Sequence, residues 1–200
     1  MYTNKTKVQN YLMTNIDSSF DDQIEYWATA AEKYINNYTN RKDGFEASTK
    51  TKYYDGNGES ELLINSFTSL TTVQILDDNS SSVGWTLTEG IDNDYITYPA
   101  NDTPKYKLKL TTNSSAGAFY SGSQRIKITG TFGYATTVPK DIELVATILV
   151  AEIVKQSRDG GLAISQGLGD YSTSFETFSD TALRITDVRN ILNSYKLLKI

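Results

Sequence analysis

The strongest apolar pattern in the chain lies between residues 126 and 155. Ile126 and Ile128 alternate with polar residues, as in a strand that buries one face. Pro139 follows where the first residue of a helix belongs, because its missing N–H group would have no partner there. The next positions are apolar on nearly every side of a helix, namely Ile142, Leu144, Val145, Ile148, Leu149, Val150 and Ile153. A helix of this kind is buried, so we predict that it forms the centre of a helical core.

A second long helix is predicted before residue 40. Its apolar positions recur at steps of three and four residues: Phe20, Ile24, Trp27, Ala28, Ala31, Tyr34, Ile35 and Tyr38. The opposite face is mostly charged and carries Asp21, Asp22, Glu25, Glu32 and Lys33. Weaker patterns predict a short helix from Asn4 to Met13 and a last helix that begins near Thr186. The chain therefore supplies three to four helices.

The middle of the chain has a different character. From Phe45 to Phe132 it reads as short alternating runs separated by Gly, Asn, Asp and Ser, which is typical of an antiparallel sandwich or barrel. The turn-rich residues 55–58 predict the end of a β-hairpin. We therefore predict an α+β fold. Residues 1–44 and 133–200 form a helical core of three to four helices, and residues 45–132 form an inserted antiparallel β-sandwich or barrel-like domain.

Composition excludes several kinds of chemistry. The 200 residues include no cysteine and no histidine, which removes disulfides, thiolate or imidazole metal ligands, and Ser-His-Asp or Cys-His catalysis. A net charge of −5 does not suit a protein that grips nucleic-acid phosphates. The apolar run from Leu144 to Ala151 is far shorter than the roughly 20 residues of a membrane span. The first residues are polar, so we also expect no signal peptide.

Short motifs add no catalytic, metal or cofactor site. Residues 55–59 begin like a calcium loop, but Ser60 and Ser66 stand where that loop requires Gly and Glu. Gly167-Leu168-Gly169 lacks the third glycine of a dinucleotide-binding fingerprint. Aromatic residues of the β region are expected to pack in pairs across strands, with a sugar-stacking face as the alternative. We therefore expect no enzyme activity.

Five strings of residues, taken in order, resemble the head–tail connector (adaptor) proteins of tailed bacteriophages. The strings are Tyr38 to Arg41, Tyr53 to Gly58, Ile128 to Tyr134, Val138 to Ile142, and Gly169 to Ser172. The resemblance covers most of the chain, roughly from Tyr11 to Tyr195. Phe132 departs from the pattern, because many relatives carry Trp there. The exchange of one large aromatic side chain for another should cost little.

The resemblance implies a structural protein of the virion neck. Such proteins form a ring, commonly of twelve copies, beneath the portal protein. The ring extends the DNA channel and docks a stopper or tail completion protein, while DNA passes without specific binding. The acidic net charge fits a channel wall along which DNA slides. The resemblance implies assembly in the host cytoplasm and no membrane contact.

Two segments are predicted to make the contacts of this ring. The basic C-terminal helix and its end predict a portal interface, formed by Arg189, Tyr195, Lys196, Leu197, Leu198, Lys199 and Ile200. The polar arm after the central helix predicts a subunit interface, formed by Ser165, Gly169, Asp170, Tyr171 and Phe175. The basic residues near the C-terminus also suit a helix C-terminal dipole, and that alternative stays open.

A second class of function fits the same sequence. A carbohydrate-binding or tail-associated β-sandwich module would leave an aromatic face exposed and would form no closed ring. An enzyme with two catalytic carboxylates ranks last, because 24 acidic residues give many accidental pairs and no spacing singles one out.

Overall fold

The computed structural model describes residues 1–78, 81–158, 166–168, 171–173 and 185–197, which fall into two compact units. The helical unit comprises Met1–Lys42 and Val138–Ile200, and the β unit comprises Asp43–Thr137. The described residues form four α-helices: α1 Lys5–Leu12, α2 Asp21–Tyr38, α3 Lys140–Arg158 and α4 Thr186–Ser194. A six-stranded sheet accompanies them, so the predicted α+β class is confirmed.

Helix α3 forms the centre of the helical unit, because it contacts each of the other three helices. Its fully buried side chains are Ile142, Val145, Ala146, Leu149, Val150 and Ala151. The prediction of a central apolar helix holds for nearly all of its length. It was wrong at Leu144, which is 45% exposed, since the neighbouring helices leave a strip of α3 open there.

The first residues of the chain are tied into this unit. The Thr3 and Thr147 hydroxyls form a buried hydrogen bond of 2.8 Å, which joins the N-terminal segment to α3. The Tyr2 hydroxyl donates to Asn36 Oδ1 on α2 at 2.7 Å. Helix α2 buries five residues of its predicted stripe, namely Ile24, Trp27, Ala28, Ala31 and Ile35. The amphipathic pattern thus sets which face of α2 packs inward.

The β unit is one antiparallel sheet with the strand order β1-β6-β2-β5-β4, and β3 pairs with β2. Its strands are β1 Ser48–Gly56, β2 Glu61–Leu76, β3 Val83–Leu87, β4 Tyr95–Tyr98, β5 Lys105–Leu110 and β6 Gly122–Phe132. The hairpin predicted at residues 55–58 is wrong, because β6 lies between β1 and β2. The turn is held instead by residues next to β6: Gly58 N donates to the Phe119 carbonyl at 2.7 Å.

The sheet curls around its apolar core. β2 pairs with β5 along its first half and with β6 along its second half, and its register with β6 shifts twice between Phe67 and Thr72. Such bulges bend a strand. The Tyr54 hydroxyl on β1 donates to Asn65 Oδ1 on β2 at 3.0 Å, although β6 separates the two strands in the sheet. Only a strongly curved sheet brings these two residues together.

Two glycines, Gly130 and Gly133, permit close backbone contacts at the bend. A Cβ atom on Gly130 would lie 2.6 Å from the Ser69 carbonyl oxygen and 2.8 Å from Leu70 Cδ2. Gly133 has a φ of +144°, and a Cβ there would lie 2.5 Å from Ala47 Cα. Any larger residue at Gly130 must push the bulged part of β2 away from β6.

We predict that Gly130→Ala lowers the free energy of unfolding by about 1–3 kcal/mol, because it overpacks a close backbone contact. Urea denaturation of the purified protein measures the change. Gly117→Ala is the matched control, since a Cβ there meets only Tyr120 Oη at 3.7 Å, an ordinary contact. Equal stability of the two variants would contradict the role given to Gly130.

Asp94 joins two loops of the β unit. Its carboxylate accepts from Ser115 N at 2.7 Å, from Ser115 Oγ at 2.8 Å and from Thr88 N at 2.9 Å. The Asp94 side chain is therefore a structural acceptor. The hydrogen bonds from the Ser115 and Thr88 amides hold the pKa of Asp94 below its ordinary value, because they favour the charged form.

The depressed pKa of Asp94 makes stability depend on pH. Its contribution is present above the unfolded carboxyl pKa of about 3.9 and is lost as pH falls through the lower folded value. We predict that Asp94→Asn is less stable than wild type at pH 7 and loses less stability between about pH 5 and pH 3. Thermal unfolding across that range measures both effects. Parallel pH profiles for the two proteins would count against this role.

Candidate assembly surfaces

Helix α4 packs on the helical unit through two residues. Val188 and Leu192 are fully buried, and they lie four residues apart on one face of the helix. Arg189 lies beside Val188 in sequence and is exposed. The helix contacts α3. The apolar stripe of α4 therefore leaves its one cation, Arg189, on the solvent side.

The residues that follow α4 are bound to α3 and to the residues just after α2 by three hydrogen bonds. The Tyr195 hydroxyl donates to Asp141 Oδ2 at 2.8 Å, at the start of α3. Arg41 Nε donates to the Tyr195 carbonyl at 2.9 Å, and Leu197 N donates to the Thr39 carbonyl at 2.9 Å. Tyr195 thus contributes to the helical unit itself, and its hydroxyl is engaged.

The exposed part of the predicted portal interface is smaller than the whole set. It consists of Arg189, Lys196 and Leu197, which is 38% exposed. Lys196 Nζ lies 5.2 Å from the centroid of the Tyr38 ring, a distance at which a cation is attracted to an aromatic face. We call Arg189, Lys196 and Leu197 the C-terminal surface. Leu198, Lys199 and Ile200 lie outside the described residues.

The predicted subunit interface is described only in part. Tyr171 begins strand β8 (Tyr171–Thr173), which pairs antiparallel with β7 (Gln166–Leu168), and Tyr171 is the register partner of Leu168. Ser165, Gly169, Asp170 and Phe175 lie outside the described residues. The sequence predicted a loop or an extended arm here, and the described part is a small two-stranded sheet.

The aromatic residues of the β unit do not gather on one exposed face. Trp85 stacks on Tyr120 with ring centroids 5.2 Å apart, and Tyr95 is 3% exposed. Tyr53 and Tyr106 are about half exposed, but they lie on β1 and β5, which are not neighbours in the sheet. This arrangement favours packing over a sugar-stacking platform.

A surface that the sequence analysis missed lies on the outer face of β5. In the register of β2, β5 and β4, Leu63, Lys107 and Tyr98 form one row, and Glu61, Lys109 and Ile96 form the next. Side chains in such rows share a face of the sheet. We call these six residues the lysine face. Their sequence neighbours Leu62 and Leu108 point to the opposite, buried face.

One carboxylate neutralises part of the lysine face. Glu61 Oε2 lies 2.9 Å from Lys107 Nζ, and Glu61 Oε1 lies 2.9 Å from Lys109 Nζ. The hydrogen bonds from Lys109 and then Lys107 lower the pKa of Glu61. Two cations share a single anion, so the face keeps a net positive charge. Leu63 beside them is 54% exposed. The signal that reveals this surface is the alternation of Lys105, Lys107 and Lys109 along β5.

The described residues hold no group of three or more Asp or Glu side chains placed to bind a metal ion. Within the same residues, no helix has the length and apolar character of a membrane span.

Comparison with known proteins shows the fold. Neither a protein-family model nor a curated protein matches this chain. A solved structure, the neck of an empty GTA particle (a phage-like gene transfer agent) computed with C6 symmetry, contains a chain that superposes with a TM-score of 0.59. The match covers 98% of this chain and 89% of that chain. This protein is similar in fold to a chain of that neck. The two sequences are 11% identical, so the similarity is one of fold alone.

We predict that Tyr195→Phe lowers the free energy of unfolding by about 1–2 kcal/mol, because Asp141 loses a half-buried donor. Chemical denaturation measures the loss. Tyr53→Phe is the matched control, since Tyr53 is 51% exposed and the same hydroxyl is removed. A loss no larger than that of the control would show that the bond to Asp141 does not hold the C-terminal segment.

Proposed function

We propose that this protein is a structural component of the head–tail neck of a tailed phage or phage-like particle, and that it acts there as the connector (adaptor). The observation that carries the proposal is the end-to-end fold similarity to a chain from a GTA particle neck. It covers the helical unit and the β unit together, rather than one of them. The ordered residue strings that resemble phage connectors support the same conclusion independently.

In this proposal, the protein assembles as a ring of identical copies. The neck that contains the similar chain was computed with C6 symmetry, and a ring of six copies or of twelve satisfies such symmetry. Each copy can then bind its neighbours and the portal weakly, because many contacts act together. The ring would extend the DNA channel below the portal and present a platform to a stopper or tail completion protein.

The C-terminal surface is the proposed portal contact. Arg189 and Lys196 are exposed cations, and Leu197 adds an exposed apolar side chain. The hydrogen bonds of Tyr195 and Leu197 hold this segment in one position before any partner binds. A surface ordered in advance loses less conformational entropy on binding. The small β7–β8 sheet and the residues around it are the proposed contact with a neighbouring copy.

We predict that the wild-type protein co-sediments with the portal ring encoded in the same genome. The double variant Arg189→Glu and Lys196→Glu should bind at least about tenfold more weakly, since like charges then face the portal. Lys33→Glu is the control, because it reverses one exposed charge on α2 that is not part of the C-terminal surface. Electron microscopy of the complex shows whether the bound copies form a ring.

Two results separate the parts of this proposal. Absence of any wild-type complex with the portal would overturn the neck assignment. A ring on the portal that is unaffected by the double variant would leave that assignment in place and remove the C-terminal surface from it.

A further inference from the structure

We infer that the lysine face binds the acidic face of α2 on a second copy of this protein, and that this head-to-tail contact joins neighbouring subunits. The acidic face consists of Asp21, Asp22, Glu25 and Tyr26 on the exposed side of α2. The inference deepens the proposed function and rests on it for the ring that the contacts close.

The lysine face is unusual in its surroundings. Residues 43–137 carry seven Lys and Arg against eleven Asp and Glu, so the β unit is acidic as a whole. Three of the seven cations nevertheless alternate along the six residues of β5. Lys105 Nζ is engaged by the carbonyls of Pro99 and Ala100, whereas Lys107 and Lys109 share Glu61. A positive patch around exposed Leu63 thus stands within a unit of opposite net charge.

The acidic face of α2 has the complementary chemistry. Asp22 and Glu25 are exposed and have no ion-pair partner in the described part of the chain, whereas Asp21 is paired with Lys5 at 2.5 Å. Tyr26 is 73% exposed, which is high for a large aromatic side chain on a packed helix. Each of the two faces therefore combines unneutralised charge with one exposed large apolar side chain.

The spacing of the groups also matches. Lys107 and Lys109 are two residues apart on one strand face, about 7 Å along the strand. Asp22 and Glu25 are three residues apart on a helix, which places their Cβ atoms about 5–6 Å apart. Both faces lie on regular secondary structure, so these spacings are fixed. The Asp and Glu residues of the loops have no spacing fixed by regular secondary structure. Among them, Asp94 already accepts a hydrogen bond from Ser115 within the β unit.

Charge also decides the symmetry of the contact. Two lysine faces repel each other, and so do two acidic faces, so a symmetric dimer through either face is disfavoured. The matching pair is one face of each kind, which is a heterologous contact, and such contacts form a ring when the rotation from copy to copy closes. Exposed ion pairs are individually weak. Burial of Leu63 against Tyr26 and repetition around a ring supply the remaining stability.

Charge-reversal variants test the contact directly. The lysine-face variant carries Lys107→Glu and Lys109→Glu, and the acidic-face variant carries Asp22→Lys and Glu25→Lys. Sedimentation velocity of each protein over a range of concentrations, alone and on portal rings, measures self-association. Each variant alone should associate about tenfold more weakly than wild type, because its two faces then carry the same sign. Lys127→Glu, a change on β6 outside both faces, should have no such effect.

An equimolar mixture of the two variants gives the decisive result. Each variant then meets a partner of opposite sign at both faces, so association should return towards the wild-type level in the mixture. Recovery in the mixture also shows that both variants are folded. Circular dichroism of each variant checks this separately. The outcomes that overturn the inference are wild-type association by either variant alone, no recovery in the mixture, or no self-association of the wild type in either setting.

Further outcomes separate this inference from its alternatives. Wild-type rings on the portal that tolerate both variants would remove the contact and leave the neck function standing. Self-association through these faces without any portal complex would support the contact and overturn the neck function. Loss of double-stranded DNA binding by the lysine-face variant, with unchanged self-association, would identify the lysine face as a phosphate-binding surface and overturn the proposed contact. Glu61 in the middle of that face argues against the DNA alternative, because a carboxylate repels phosphate.

Discussion

The burial of α3 is the constraint on which the helical unit depends. Most of its side chains are apolar and would be costly to expose to water. Each of the other described helices therefore gains stability by burying part of the α3 surface. The helices that do so come from both ends of the sequence, before residue 43 and after residue 137. One helix thus joins the two ends of the chain into one unit. The Thr3–Thr147 and Tyr195–Asp141 hydrogen bonds then fix both terminal segments to α3.

The β unit depends on a different constraint, the close contact of backbones at the bend of β2. A flat sheet of six strands would expose one side of its core, whereas a bent β2 lets the sheet wrap around that core. The bend requires Gly130 next to the bulged residues, because a Cβ atom there has no space. The curl turns the other sides of β2, β4 and β5 outward and creates the lysine face. A requirement for stability in the core of the β unit thereby produces an ordered surface on the exterior of the same unit.

The parts of this structure that were predictable from sequence are those set by local periodicity. The 3.6-residue period located α2, the apolar run after Pro139 located α3, and the alternating runs located the strands. Strand order was not predictable, because the pairing of β1 with β6 joins residues more than 60 positions apart and leaves no local signal. The hairpin predicted at residues 55–58 was wrong for this reason. Turn residues show that the chain reverses, and they do not show which strand lies alongside.

The candidate surfaces also contain residues that local sequence predicts and residues that only long-range contacts reveal. Charge near the C-terminus identified Arg189 and Lys196 as exposed cations. Only the structure shows that Tyr195 is engaged by Asp141, which lies 54 residues earlier. The lysine face needed the register between β2 and β5, because Glu61 and Lys107 are 46 residues apart in sequence.

An assembly protein has to combine rigid presentation with weak individual contacts. A strong contact between two free copies of such a protein would build incorrect oligomers before the assembly template is reached, whereas weak contacts become stable only when many act on one template. The surfaces described here have that character: small, charged and exposed, on helices and strands whose positions are fixed by buried cores. Their charges also discriminate between orientations, since two like faces repel and only unlike faces attract. In the proposed assembly, specific geometry and low affinity between isolated copies would follow from the same few side chains.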